Sequence, residues 1–212
     1  MPTSDYTQIP DVLRVVIGTR AESVLDIGVG FGKWGPLCRE YMEINRGRMP
    51  GQWQSVVHGI EIFEDYRNPA WSVYDEVFIG DAVQVLDGLG AYDVILCCDV
   101  IEHYEKEDGR VLLQKMLEHG KVVVVTSPIG ESPQEAVYGN PHEEHKSVWS
   151  RDDFAPYPHR FANLNETFIA VVSRREEHLL GADVREPLEW LGVKQTAAQL
   201  GRMIARRLRL VR

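Results

Sequence analysis

The chain has 212 residues, 44% of them apolar and 26% charged, which suits one globular domain with a single substantial core and excludes a disordered or bilayer-spanning chain. The formal charge is -9, but from Lys194 to Arg212 there are six basic residues and no acid, leaving -15 on the remainder. A body so acidic repels a nucleic-acid backbone, whose binding needs clustered cations.

The start, MPTSDYTQIP, lacks a basic stretch followed by an apolar one, so no secretory signal is visible. The three cysteines are Cys38, Cys97 and Cys98. The last two are neighbours in an apolar run and read as buried thiols, which fits a reducing cytoplasm. Apolar spacing in DVLRVVIG, after Pro10, predicts a leading helix over 6–18, closed by Gly18. SVLDIG reads as a short buried strand, and KWGPLCREYMEI as the helix behind it. After the glycine- and proline-punctuated NRGRMPGQWQ come a second strand, SVVHGIEI, and a third, EVFIGD, with a short helix AVQVLDGL. YDVILCCDV is continuous and apolar, as a strand buried on both faces should be. EDGRVLLQKMLEHG predicts the next helix and KVVVVTSP the fifth strand. The polar stretch from Pro128 to about Ser150 is too long for a mere connection and points to function. HRFANLNETFIAVVSRR predicts two strands around Asn165. Strands alternating with helices imply an α/β fold, a mostly parallel sheet with helices on both faces and an antiparallel hairpin at one edge.

In such a sheet ligands sit beyond the carboxyl ends of the strands. VLDIGVGFGKWG, Val24 to Gly35, places glycines there. The dinucleotide pattern G-x-G-x-x-G needs a glycine at position 33, which is Lys33. Glycines fall instead at Gly28, Gly30 and Gly32, preceded by Asp26. This G-x-G-x-G pattern resembles motif I of the class I S-adenosylmethionine-dependent methyltransferases, whose fold is a Rossmann-like seven-stranded sheet. The resemblance covers roughly residues 20–175, with four signals in order, each at a strand end. It implies S-adenosyl-L-methionine as cofactor. Glu61 in GIEIF then matches the acid that chelates the ribose hydroxyls. Asp81, with Ala82 in GDA, matches the acid that meets the adenine amino group. DVIEH, Asp99 to His103, matches the motif ending the fourth strand, and Asp99 joins the cofactor set. Asp26 would sit beneath the glycine loop and help orient the cofactor's ammonium. The structural alternatives are a loop-stabilising Asp26 and an Asp81 that merely caps AVQVL.

Methyl transfer to a hydroxyl needs a positioned acceptor and a base, and histidine serves near neutral pH. His103 and His145 are the expected catalytic pair, with His142 as alternate. His58, His119, His159 and His178 fall in a strand, a helix end or peripheral segments and read as surface or satisfied side chains. DVIEH and HEEHKSVWSRDDF together also resemble the small-RNA 3′-terminal 2′-O-methyltransferases, where acids and histidines bind a divalent metal. On that resemblance Asp99, Glu102 and His103 match one cluster and His142 or His145 the other. Asp99 stands where that group has Glu, and no RNA-binding extension is present. A metal site, a metal-free histidine base and a purely structural loop all stay open. Trp149 reads as a packing residue that pins the loop.

The organisation expected is a methyltransferase domain over 1–180 and a basic helical extension over 181–212. In the extension Ala197, Leu200, Ile204, Leu208 and Val211 lie near helical spacing. That segment would dock on the body, on another subunit or on a membrane surface. The activity expected is O-methylation of a sugar or other small hydroxylated molecule, such as a glycan. The rivals are a metal-dependent RNA 2′-O-methyltransferase and a non-catalytic cofactor-binding subunit.

Overall fold

The computed structural model describes residues 3–184, so the basic stretch 194–212 lies outside the described residues. Seven strands form one sheet: β1 (Ser23–Ile27), β2 (Val56–Glu61), β3 (Glu76–Ile79), β4 (Tyr92–Cys98), β5 (Gly120–Pro128), β6 (His159–Leu164) and β7 (Thr167–Val172). Their order is β3-β2-β1-β4-β5-β7-β6. The first five pair in parallel, and β7 runs antiparallel to both β5 and β6. The hairpin forms the edge expected from the sequence, with its return strand β7 one place in and β6 outermost.

Four α-helices cover the two faces: α1 (Ile9–Gly18), α2 (Trp34–Met42), α3 (Ala82–Val85) and α4 (Lys106–His119). Strand alternation divides the core between them. Val94, Leu96, Val122 and Val124 face the α1–α2 side, with Val12, Val16, Cys38 and Met42. Ile95, Cys97, Val123 and Val125 face the α3–α4 side, with Leu86, Leu112, Leu113 and Met116. β4 and β5 are thus apolar on both faces, the reason their sequences read as unbroken apolar runs. All three cysteines are buried free thiols. Among the described residues, no helix is long and apolar enough to cross a membrane.

Strand order reverses between β1 and β4. The β1 end at Ile27 pairs with Cys97, and on its other side with Ile60, so the segments leaving all three strands emerge together. The long loop after β5 folds back over this edge. Lys146 and Ser147 donate their backbone N–H groups to the Glu102 carbonyl at 2.8 and 3.1 Å. Trp149 is buried and donates its indole N–H to the Ser147 hydroxyl at 2.9 Å, while Lys106 Nζ lies 4.0 Å from its ring centroid. The ring lies against Gly109 in the first turn of α4, where a Cβ would come 2.6 Å from Trp149 Cζ2.

That contact fixes the sign of a substitution. Alanine at a helix interior gains about 1 kcal/mol over glycine in propensity, but overpacking a closed core costs about 1–3 kcal/mol. The indole has no open side to retreat to. Gly109→Ala should lower stability by up to about 2 kcal/mol in urea unfolding; a more stable variant would show that Trp149 does not pin the loop in this way.

Candidate active site

A cleft of about 340 Å³ opens at the carboxyl ends of β1, β2, β3 and β4. Its floor is the turn after β1, where Gly28, Gly30 and Gly32 all take positive φ (75°, 53° and 83°). That backbone region is open to glycine and costly to most other residues. The three glycines do different things. Gly28 and Gly30 line the cleft, and a Cβ at Gly28 would also strike Val100 at 2.4 Å. Gly32 turns toward the 69–73 turn, where a Cβ would meet Ala70 and Trp71 at 3.2 and 3.3 Å. Its role is packing. Trp71 holds the loop further by donating its indole N–H to the Gly30 carbonyl at 2.9 Å.

Glu61, the last residue of β2, is buried and lines the cleft. One carboxylate oxygen accepts the Gly30 N–H at 2.7 Å, and the other accepts the Phe63 N–H at 2.9 Å. Burial raises its pKa, while these backbone donors favour the ionised form. A carboxylate has about four acceptor sites, so two remain for a ligand's paired hydroxyls. Asp81 caps α3, accepting the Val83 N–H at 2.8 Å, as the structural reading required. It also lines the cleft with Ala82, and its Oδ1 accepts the Tyr104 hydroxyl at 3.2 Å. Capping and ligand contact are compatible here, because both of these bonds fall on Oδ1.

Asp26 is not on the cleft wall. Its β1 position sends the side chain under the glycine loop, where Oδ2 accepts the Tyr74 hydroxyl at 2.6 Å. Tyr74 in turn accepts the Gly35 N–H at 2.8 Å. Asp26 Oδ1 is buried with no hydrogen-bond partner. Burial pushes the Asp26 carboxyl up to about 8, against the Tyr74 hydrogen bond. It therefore braces the loop from behind. Asp99 lies in the cleft in a left-handed conformation (φ 54°), its N–H donating to the Thr126 carbonyl and hydroxyl at 3.0 and 3.1 Å. Its carboxylate accepts the Gln8 side-chain amide at 2.8 and 3.0 Å.

His103 lines the cleft, and His142 lines it as well. His145 lies in a neighbouring recess with Glu102, its ring centroid 4.9 Å from that of His103. Glu102, His103 and His145 present ligand atoms within 4.8 Å of one another. His103 Nδ1 is engaged with the Glu144 carbonyl at 3.1 Å, and His145 Nδ1 with the Ser132 carbonyl. A carbonyl accepts only from N–H, so each imidazole keeps an Nε2 lone pair, the arrangement seen behind metal-ligating histidines. Burial pulls the His103 pKa down, and His145 adds to that, while the Glu144 carbonyl opposes it. Both Glu102 oxygens are buried without a bonding partner. Burial first, then Asp99, pushes the Glu102 pKa well above its ordinary value, with the nearby Ser127 hydroxyl acting the other way. A buried orphan carboxylate beside two imidazole lone pairs is a donor set that fits a divalent cation.

Several residues of this site carry no sequence signal of their own. Tyr74, Tyr104 and Thr126 are reached only through folding, and Thr3 and Ser4 line the cleft from the segment before α1. Lys33 was legible only as the residue that breaks the dinucleotide pattern.

No family model matches the chain, and no curated protein matches it. Solved structures do resemble it. An O-methyltransferase family protein from Burkholderia thailandensis superposes with a TM-score of 0.57 at 12% identity, covering 79% of this chain and 56% of that one. The chain thus spans little more than half the length of that protein. A SAM-dependent methyltransferase from Archaeoglobus fulgidus gives 0.55 at 18% identity, covering 77% and 91%. The methyltransferase domain of bacterial CtHen1-CN gives 0.53 at 19%, covering 78% and 97%. What the chain shares with these solved methyltransferases is the fold.

The buried Asp26 makes stability depend on pH. Between the ordinary carboxylate pKa of 3.8 and about 8, the unfolded chain has lost this proton and the folded chain keeps it. The folded state then binds more protons, so stability falls as pH rises through that window. Asp26→Asn mimics the neutral acid and removes this penalty. Relative to wild type, its stability should rise by several kcal/mol from pH 5 to pH 8, at about 1.4 kcal/mol per pKa unit. Urea titrations at the two pH values read the difference; a pH-independent offset would mean that Asp26 is ionised in the folded protein.

Proposed function

We propose that the chain is an S-adenosylmethionine-dependent methyltransferase acting on a hydroxyl of a sugar or other small hydroxylated molecule. The observation that carries the reading is the placement of Glu61 and Asp81 at successive strand ends around one cleft, with His103 on its wall. When bound, the donor supplies an electrophilic methyl group on a sulfonium. The chain's residues do the rest. Glu61 accepts the ribose hydroxyls on the acceptor sites left by Gly30 and Phe63. Asp81 and the Ala82 backbone face the purine edge, with Tyr104 beside them. His103, kept neutral by burial, offers Nε2 to the proton that the acceptor hydroxyl sheds as its oxygen takes the methyl group.

The Glu102–His103–His145 cluster supports a second reading of the same group, in which His103 Nε2 would ligate a divalent cation instead of taking the proton. An ion there would acidify and orient an acceptor hydroxyl. Asp99 is not part of that cluster, its carboxylate being turned toward Gln8 and Thr126. The cleft bears Glu61, Asp81, Asp99, Glu105, Asp108 and Glu143 against Lys33 and Lys146. That balance disfavours a polyanionic acceptor such as RNA and favours a neutral one. A cation site and a small acceptor are therefore compatible.

Two measurements test this. Calorimetry should show S-adenosylhomocysteine binding at the micromolar level, about -8 kcal/mol, with NAD silent. Glu61→Ala should weaken that binding by about 1.5–3 kcal/mol. Tight NAD binding without the methionine derivative would defeat the reading. For the cation, manganese titrated into the protein should bind with a stoichiometry of about one. Glu102→Gln and His145→Ala should each abolish that binding. Methyl transfer that survives chelator in full would leave His103 as a metal-free base.

A further inference from the structure

The glycine loop carries an aromatic side chain that the site described above does not use. Phe31 lines the cleft, yet it is 51% exposed. Its ring rests on Tyr66, with centroids 5.1 Å apart, and Tyr66 in turn meets Phe63 edge-on at 4.9 Å. Tyr66 is buried, its hydroxyl donating to Glu143 Oε1 at 3.0 Å and accepting the Asn140 amide at 3.2 Å. Phe31 thus stands on a fixed base. Beside it stands Tyr138, 68% exposed, its ring 6.5 Å from that of Phe31 and at 83° to it. The two rings form an open, right-angled corner at the rim of the cleft.

Conformation argues against a tyrosine at position 138. Tyr138 and Gly139 are the central residues of the turn closed by the Val137–Asn140 bridge, with φ of 53° and 76°. Asn-Gly adopts two successive left-handed residues readily, and a bulky side chain does not. Burial gives nothing back, since the ring is mostly in water and packs on the exposed Phe31. A strained backbone that holds an aromatic ring out beside a cleft points to a ligand contact made by that ring. A planar ligand can lie flat on only one wall of a right-angled corner. A pyranose chair presents C–H groups to both walls and keeps its hydroxyls for polar partners. Those C–H groups carry the partial positive charge that an aromatic face attracts. The acids of the cleft disfavour a phosphorylated or carboxylated sugar.

We propose that Phe31 and Tyr138 form the subsite for the ring of a neutral pyranose acceptor. The sugar sets its apolar face into the corner and directs one hydroxyl into the cleft toward His103. Tyr66, locked by Asn140 and Glu143, is a positioning residue for Phe31. Asn140 also fixes the turn that carries Tyr138, through its N–H on the Val137 carbonyl at 2.9 Å. The proposal rests on the hydroxyl-methylation reading of the cleft. It narrows the acceptor from any small hydroxylated molecule to a cyclic sugar.

The test is saturation-transfer NMR on the full chain, with and without S-adenosylhomocysteine. The probes are the methyl pyranosides of glucose, galactose and mannose, with sorbitol, catechol and choline as acyclic, planar and cationic comparators. At least one pyranoside should bind, with saturation strongest on its ring C–H groups, and no comparator should displace it. Phe31→Ala and Tyr138→Asn should each weaken that pyranoside by about 3- to 10-fold, and Tyr138→Phe should bind it as wild type does. Tyr138→Asn should also melt no lower than wild type, since asparagine tolerates the left-handed backbone, and should keep its affinity for S-adenosylhomocysteine. Binding lost from so stable a protein is a lost contact. No binding by any of the three pyranosides, unchanged binding in both variants, or displacement by a comparator would overturn the subsite. S-adenosylhomocysteine that fails to bind is a separate result. It would bring down the methyl-donor reading, while the pyranoside titrations without it still decide whether the corner takes a sugar.

Discussion

The carboxylate of Glu61 ties two strand ends together. It closes β2 by accepting the Phe63 N–H and reaches across to accept the Gly30 N–H in the turn after β1. Without that second bond the Gly30 N–H would face the cleft unpaired, and the glycine turn would lose its anchor to the neighbouring strand. The turn is otherwise held by Trp71 on the Gly30 carbonyl and by Tyr74 on the Gly35 N–H. A single acid therefore shapes the floor of the cleft and remains able to accept from a ligand. The same atoms serve the fold and the proposed function, so a substitution at Glu61 disturbs the loop as well as the contact. That coupling is why the mutational test there is best paired with a direct view of the bound state.

Acids gather at the ends of the first four strands: Asp26 beneath the glycine loop, Glu61, Asp81 and Asp99 in the cleft, and Glu102 in the adjoining recess. Burial raises Asp26, Glu61 and Glu102 above their ordinary range. Concentrating negative charge in a low-dielectric cleft is costly unless a positive or donor-rich ligand offsets it. A sulfonium, an ammonium, paired ribose hydroxyls and a divalent ion all do so.

Much of this architecture was legible because single residues carried local signals. The β4 and β5 runs had no polar face to confuse their reading, since both faces are covered. Glu61 and Asp81 stood where apolar strands ended, and Lys33 excluded the dinucleotide pattern by identity alone. The illegible part depends on folding back. Nothing near Tyr74 announces that its hydroxyl will reach Asp26, and nothing in the glycine spacing announces that Gly32 will turn toward Ala70 and Trp71. His145 and Glu102 lie 43 positions apart in sequence and meet because the loop after β5 returns to the turn after β4. The helix signal over 6–18 says nothing of the hydrogen bonds that tie Ser4 to Lys33 and Asp5 and Gln8 to Asp99. The basic stretch 194–212 had a clear charge signal, and it lies outside the described residues.

In the function proposed above, Glu61 holds the glycine loop and the ligand's ribose at once. An experimental structure with S-adenosylhomocysteine measures this most directly. Both ribose hydroxyls should lie about 2.5–2.7 Å from the two Glu61 oxygens, as hydroxyls on a carboxylate do, with the Gly30 N–H bond kept. A ribose lying away from Glu61, or a Glu61 that must leave Gly30 to reach it, would contradict the account.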